Sequence, residues 1–266
     1  MEETSVVVGL AKHEGAGNDF LVMIDLEDRV QLTSNEVRFM ADRRHGIGAD
    51  GVIVLTGPSE GGDLTMTLWN QDGSLAEISG NGVRCAAHEA VRSGVVASGS
   101  FAIMTGAGLR RVLCADPVGQ VAMTSVAMGT PTIEALDPLH GEAFVNVGNP
   151  HHVLVVSDLD AIDSQRDGAV LQDLRDGGVN VEWVQVHNDS TVSMKVFERG
   201  VGPTLACGSG SVAVVTALRE LGLCADTVSV QNPGGSLGVS FEGLEATLSG
   251  PVAFVGDVVL PLLRRP

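Results

Sequence analysis

The chain has 266 residues, 44% of them hydrophobic and 18% charged, with a formal net charge of −17. That length and apolar content fit one large domain or two of roughly 130 residues, and they exclude a disordered chain. Such an acidic chain offers little to a phosphate backbone, and no apolar run approaches the roughly 20 residues of a bilayer span, so neither nucleic acid nor membrane is expected as a partner.

The first residues, MEETSVVVGL, are acidic before a short apolar stretch. A secretory signal needs a basic start and a small-residue cleavage site, so none is read and a cytoplasmic protein is expected. Short β-branched or apolar runs bounded by Gly, Asp or Asn predict strands at 6–13, 20–25, 51–55 and 64–69. Between them, 34–43 predicts a helix opened by Ser34 and Asn35 with Glu36 in its first turn. A Gly-rich turn at 76–84, AEISGNGVR, leads into a helix over about 82–93 that Gly94 stops. Strands resume at 101–104, 111–114 and 121–124.

The second half repeats the plan. Strands at 143–147 and 152–156 flank the turn Gly148-Asn149-Pro150, and a charged helical stretch follows over 160–176. Segments 181–186 (VEWVQV) and 191–197 alternate as half-buried strands do. A second Gly-rich turn at 204–212, TLACGSGSV, opens a helix over 211–221 that is apolar nearly all round and is expected inside a sheet-rich domain. Strands at 227–231, 237–241, 245–248 and 255–260 close the chain. The expected architecture is α/β (α+β), with two pseudo-symmetric domains, each a mostly antiparallel sheet wrapped around a central helix. The halves are read as 1–126 and 127–253, with the C-terminal strand 254–266 a candidate to rejoin the first.

The two Gly-rich turns carry the chemistry. Each places a small nucleophile, Ser79 or Cys207, directly before Gly-x-Gly, about half a chain length apart. The leading N–H groups of a helix lack intrahelical partners and carry the positive end of its dipole. Gly80, Asn81, Gly208 and Ser209 are therefore candidate carboxylate binders. Either turn alone reads as a strand-to-helix connection; the pairing, with a nucleophile in the same slot, favours a racemase or epimerase working on one carbon from both faces. At a helix N-terminus the Cys207 thiol is expected to have a lowered pKa and to gain thiolate character, which proton abstraction needs. Glu198, Arg199 and His151 are candidates to orient the pair or hold substrate. Asn18, Asn70, Asn81, Asn149 and Asn180 recur at turns, where Asn is common, and together could read ammonium and carboxylate groups. Lys12 and Lys195 are the only lysines, and neither sits in a pyridoxal context. Cys85, Cys114 and Cys224 read as small buried hydrophobes, and no C-x-x-C exists for a structural metal.

Five segments in order resemble the diaminopimelate epimerase family, of the larger diaminopimelate epimerase and proline racemase superfamily. They are 12–20 (KHEGAGNDF), 43–51 (RRHGIGADG), 70–85 (NQDGSLAEISGNGVRC), 148–151 (GNPH) and 198–210 (ERGVGPTLACGSG). The resemblance implies interconversion of LL- and meso-diaminopimelate, a step toward lysine and peptidoglycan, with no cofactor and no metal. It implies two similar domains with the site in the cleft between them, and a homodimer. It casts Cys207 as the second of two acid–base thiols, with His151 and Glu198 assisting. Gly80, Asn81, Gly208 and Ser209 would hold the reacting carboxylate; Asn70, Asn149, Asn180 and Arg199 would read the distal end, with Asn18 beside the site. Two departures stand out. Ser79 occupies the place of the first thiol, and His152 stands where the family commonly has cysteine. A serine hydroxyl is a far poorer base than a thiol. Cys85, six residues further on inside the helix, is not expected to replace it. Ser79 reads as an introduced change, as a working serine, or as the mark of altered activity. Without a second thiol at 79, no inactivating disulfide to Cys207 is expected. The alternatives to the leading assignment are a racemase, epimerase or dehydratase of another amino acid such as hydroxyproline, and an inactive binding homologue.

Overall fold

The computed structural model describes residues 4–264. The chain divides into two compact units, residues 1–124 with 251–266, and residues 125–250. In the first unit the elements run β1 (Thr4–Gly15), β2 (Asn18–Ile24), α1 (Ser34–Ala41), β3 (Gly51–Thr56), β4 (Leu64–Asn70), β5 (Leu75–Ala76), α2 (Gly80–Arg92), β6 (Gly99–Thr105), β7 (Gly108–Cys114) and the start of β8 (Val121–Gly129). The second unit continues with β9 (Thr132–Asp137), β10 (Glu142–Asn146), β11 (Pro150–Val155), α3 (Ser164–Leu171), β12 (Asn180–Asn188), β13 (Thr191–Glu198), β14 (Gly202–Thr204), α4 (Gly208–Glu220), β15 (Thr227–Asn232), β16 (Gly235–Glu242) and the first part of β17 (Glu245–Arg264). From Pro251 on, β17 belongs to the first unit, where it pairs antiparallel with β1 (Val8 opposite Leu260).

Each unit is the same sequence of hairpins. In the first, β1–β2, β3–β4 and β6–β7 pair antiparallel, and β2–β3 and β4–β6 join them in parallel. In the second, β10–β11, β12–β13 and β15–β16 are the hairpins, and β11–β12 and β13–β15 the parallel joins. A parallel join needs a crossover, and a helix supplies each one: α1 and α2 in the first unit, α3 and α4 in the second.

Of these helices, α2 and α4 are the central ones. Residues 80–90 of α2 are all buried, as is most of α4. The smaller α1 seals the other face of its sheet, where Val37 and Met40 pack with Val8, Leu21, Val52 and Val54. In the second unit Leu171 packs with Val179, Val181, Trp183 and Phe197. Because successive strand residues point to opposite faces, the intervening residues of β3 and β12 turn toward the central helices. An alanine methyl at Gly82 would lie 3.4 Å from Ile53 Cδ1, and one at Gly210 would lie 2.7 Å from Glu182 Oε1.

Several boundaries differ from the sequence expectation for local reasons. The cap of α1 is Thr33: Glu36 N–H donates to Thr33 Oγ1 (3.3 Å) while Thr33 N–H donates to Glu36 Oε2 (2.7 Å). Helix α2 begins at Gly80 because Ser79 caps it, and both central helices end before a left-handed glycine, Gly94 (φ +74°) or Gly222 (φ +70°). The helix expected over 160–176 is an α-helix only over Ser164–Leu171, followed by a 3₁₀ turn at Gln172–Leu174. Strands β5, β9 and β14 were not expected.

Candidate active site

The two Gly-rich turns have nearly the same backbone. Ser79 sits at φ −137°, ψ 121° and Cys207 at φ −125°, ψ 117°. Each caps its helix through the side chain that would do the chemistry: Gly82 N–H donates to Ser79 Oγ (3.1 Å) and Gly210 N–H donates to Cys207 Sγ (3.3 Å). That extended cap conformation directs the next N–H groups, those of Gly80 and Asn81 or Gly208 and Ser209, outward along the helix axis, ready for an anion.

Around Ser79 the first unit builds a polar frame on a buried cation. Arg84 is fully buried on α2; it donates to Asn81 Oδ1 (2.7 Å) and to the Pro251 carbonyl (3.1 Å). Asn81 in turn donates to Asn18 Oδ1 (3.3 Å), and Asn18 donates to Asp50 Oδ2 (2.7 Å). Behind Asp50 stands Arg43, which also grips Asp19. Burial pushes the Asp19 carboxyl up, but Arg43 and Lys12 outweigh it and hold it at about 2. Asn70 ends β4 in an exposed position, donating to Ser74 Oγ (3.0 Å).

Around Cys207 the second unit builds a frame on two carboxylates, Glu182 fully buried and Glu198 half-buried. His151, fully buried at the start of β11, places Nε2 3.0 Å from Asn149 Oδ1 and Nδ1 2.7 Å from Glu182 Oε1. Asn149 Nδ2 reaches Ser209 Oγ (3.4 Å), and Ser209 Oγ lies 3.5 Å from Cys207 Sγ. Glu198 ends β13 and accepts from Thr204 Oγ1 (2.5 Å). Asn180 donates to the Pro150 carbonyl (3.0 Å) and accepts from Arg199 N–H (3.0 Å), while the Arg199 guanidinium folds back onto the Gly177 carbonyl (2.8 Å). The second-unit candidates thus form two linked groups, Cys207–Ser209–Asn149–His151 and Asn180–Arg199.

One expectation is overturned. The Cys207 thiol is pushed well above its ordinary value, not lowered. Burial is the largest cause, the negative charges of Glu198 and Glu182 add to it, and the contacts from Ser209 and the Gly210 N–H only partly oppose them. Cys207 therefore rests as a thiol, able to give a proton. Cys85 is fully buried and pushed up to about 12 by burial, which removes it as a substitute base for Ser79.

Two residues of these frames were missed in the sequence. Glu182 was read within an alternating half-buried strand, but β12 is buried on both faces through Val184. Arg84 was taken as part of the motif only. For Glu182 the available signal was a lone charge inside the otherwise apolar run 181–184.

The family profile described as "Diaminopimelate epimerase" matches residues 10–134 and 143–255. A protein named diaminopimelate epimerase from Corynebacterium glutamicum is 39% identical, over 94% of this chain and 97% of its own length. One of the same name from Xanthomonas euvesicatoria is 37% identical over 92% and 94%. Among solved structures, a hydroxyproline epimerase from Agrobacterium vitis superposes with TM-score 0.76 at 14% identity, over 97% of this chain and 92% of that one. A probable proline racemase from Agrobacterium radiobacter gives 0.72 at 16%, over 94% and 92%. These structures share the fold.

Proposed function

Since the chain belongs to the diaminopimelate epimerase family, we propose that its two capped helix starts serve one reaction, inversion at the α-carbon of LL-diaminopimelate to the meso isomer on the route to lysine. The observation that carries this reading is the matched cap geometry of Ser79 and Cys207, one nucleophile at each central helix. In the reaction a base takes the α-proton, the C–H electron pair moves into the carboxylate, and an acid on the opposite face returns a proton to the carbon. Nothing is oxidised or reduced, so the step balances without a cofactor. The N–H groups of Gly80, Asn81, Gly208 and Ser209 are suited to hold the charge that builds on the carboxylate. Asn18, Asn70, Asn149, Asn180 and Arg199 are the proposed readers of the rest of the substrate, with His151 and Glu198 beside the Cys207 thiol. We read the working protein as a cytoplasmic homodimer.

In this reading Cys207, which holds its proton, is the acid. The base is what Ser79 supplies poorly, because its hydroxyl stays protonated where a thiol would ionise. The chain as it stands is therefore expected to turn over slowly. Proton NMR of LL- and meso-diaminopimelate in D2O tests the reading, with this protein and with Ser79→Cys. Isomer interconversion with α-deuterium incorporation by the variant supports it. Absence of exchange in both sinks the substrate assignment.

A further inference from the structure

The two units are near-copies in strand register, and the places where they differ locate what each helix start needs. In the first unit Phe20 pairs across the parallel join with Gly51, and Val22 with Ile53. In the second, His151 pairs with Asn180, and Val153 with Glu182. Asn18 and Asn149 stand two residues before Phe20 and His151. Phe20 and Ile53 thus correspond to His151 and Glu182. Each of Ile53 and Glu182 lies under the third residue of its central helix, Gly82 or Gly210. The fold accepts an aliphatic side chain at this position. In the second unit it carries instead a carboxylate with no exposed surface, whose Oε2 has no hydrogen-bond partner among the described residues. A buried, half-satisfied carboxylate costs stability that the isoleucine does not.

We propose that Glu182 is a positioning residue for Cys207: it anchors the hydrogen-bonded chain Glu182–His151–Asn149–Ser209–Cys207 and so fixes where the thiol stands. This deepens the reading of Cys207 as the acid and rests on it. Both ring nitrogens of His151 face oxygens, Nδ1 toward Glu182 Oε1 and Nε2 toward Asn149 Oδ1, which fixes the imidazole plane; Asn149 Nδ2 then donates to Ser209 Oγ, which lies 3.5 Å from the sulfur. The charged or titratable groups near Cys207 are Glu182 on β12, Glu198 on β13 and His151 on β11, and the two carboxylates act in the same sense. Glu198 is tied to Thr204; Glu182 is the one tied into the chain that reaches the thiol.

The test is titration of Cys207 by iodoacetamide, read by mass spectrometry on the tryptic peptide of residues 200–219, in which Cys207 is the only cysteine. It uses no substrate, so it succeeds or fails independently of the diaminopimelate assignment. With Glu182→Gln the midpoint of alkylation is expected to fall by about one pH unit, as loss of a nearby like charge implies. An unchanged or raised midpoint overturns the proposal. In the Ser79→Cys protein, adding Glu182→Gln is expected to lower kcat on the order of 10- to 100-fold with KM little changed, since a misplaced acid spoils the reacting geometry more than binding; a change confined to KM also overturns it. Should Glu182→Gln fail to fold, ¹⁵N NMR of the unmodified protein decides. The proposal requires a proton on His151 Nδ1, and an unprotonated Nδ1 refutes it.

Discussion

Ser79 and Cys207 are equivalent in backbone and opposite in surroundings. Ser79 caps a helix that carries the buried cation Arg84, while Cys207 caps one flanked by Glu182 and Glu198. The carboxylates beside Cys207 favour its neutral, proton-bearing form. Two predictions belong at this scale. Ser79→Cys is expected to raise the rate of α-proton exchange by about 10²- to 10⁴-fold, the usual worth of a competent general base; NMR in D2O measures it. Adding Cys207→Ser to that variant is expected to remove the gain in LL-to-meso interconversion, because on the proposed reading a proton can then be taken from one face but not efficiently returned to the other; the same NMR assay reads it, with any remaining exchange keeping the starting configuration. The nucleophiles and asparagines were legible in the sequence because Gly-rich turns advertise them. The sign of the Cys207 shift was not, because a helix dipole can be read from a motif while burial and a carboxylate from another strand cannot.

At the scale of elements, α2 and α4 respond differently to the same substitution. A methyl at Gly210 would lie 2.7 Å from the buried Glu182 carboxylate and 3.2 Å from Cys207 Cβ, whereas one at Gly82 meets Ser79 Cβ at 3.2 Å and Ile53 at 3.4 Å. Gly210→Ala is expected to destabilise by about 1–3 kcal/mol through overpacking, and Gly82→Ala by less, as urea unfolding of the two variants would show. Helix α2 also sets a pH window. Burial lowers His88 from 6.5 to about 4 and raises Cys85 from 9.0 to about 12. Unfolding lets His88 take a proton below pH 6.5 and Cys85 lose one above pH 9. Stability is therefore expected to be flat between those limits, to fall as pH drops from 6.5 toward 4, and to fall as pH rises above 9. Thermal melts across pH check this, and His88→Gln should flatten the acid limb. The central helices were legible because capped, glycine-bounded apolar runs announce themselves. Strand β9 was not, since its TIEALD sequence is mostly outside the core and lacks a buried alternation.

For the whole molecule, the repeated order of hairpin, parallel join and hairpin explains why two short motifs sufficed to suggest a duplicated fold. The parallel direction of the joins came only from the structure, because it leaves no mark in local sequence. The acidity of the chain acts at this scale too. A net charge of −17 repels itself in the compact state. Melting temperature is expected to rise by several degrees, roughly, as salt is added from low ionic strength to about 0.5 M and to level off there, because screening is then nearly complete. Calorimetry at fixed pH would show a flat response if local ion pairs dominate instead.

The side chain at position 79 acts on stability as well as on chemistry, because it caps α2. A hydroxyl is among the best helix N-caps and a thiol is not, so the side chain that weakens the chemistry is also the one that fastens α2 most firmly. Placing a thiol there is expected to make the protein faster and slightly easier to unfold. At position 79 a firm cap and a reactive thiol thus pull in opposite directions.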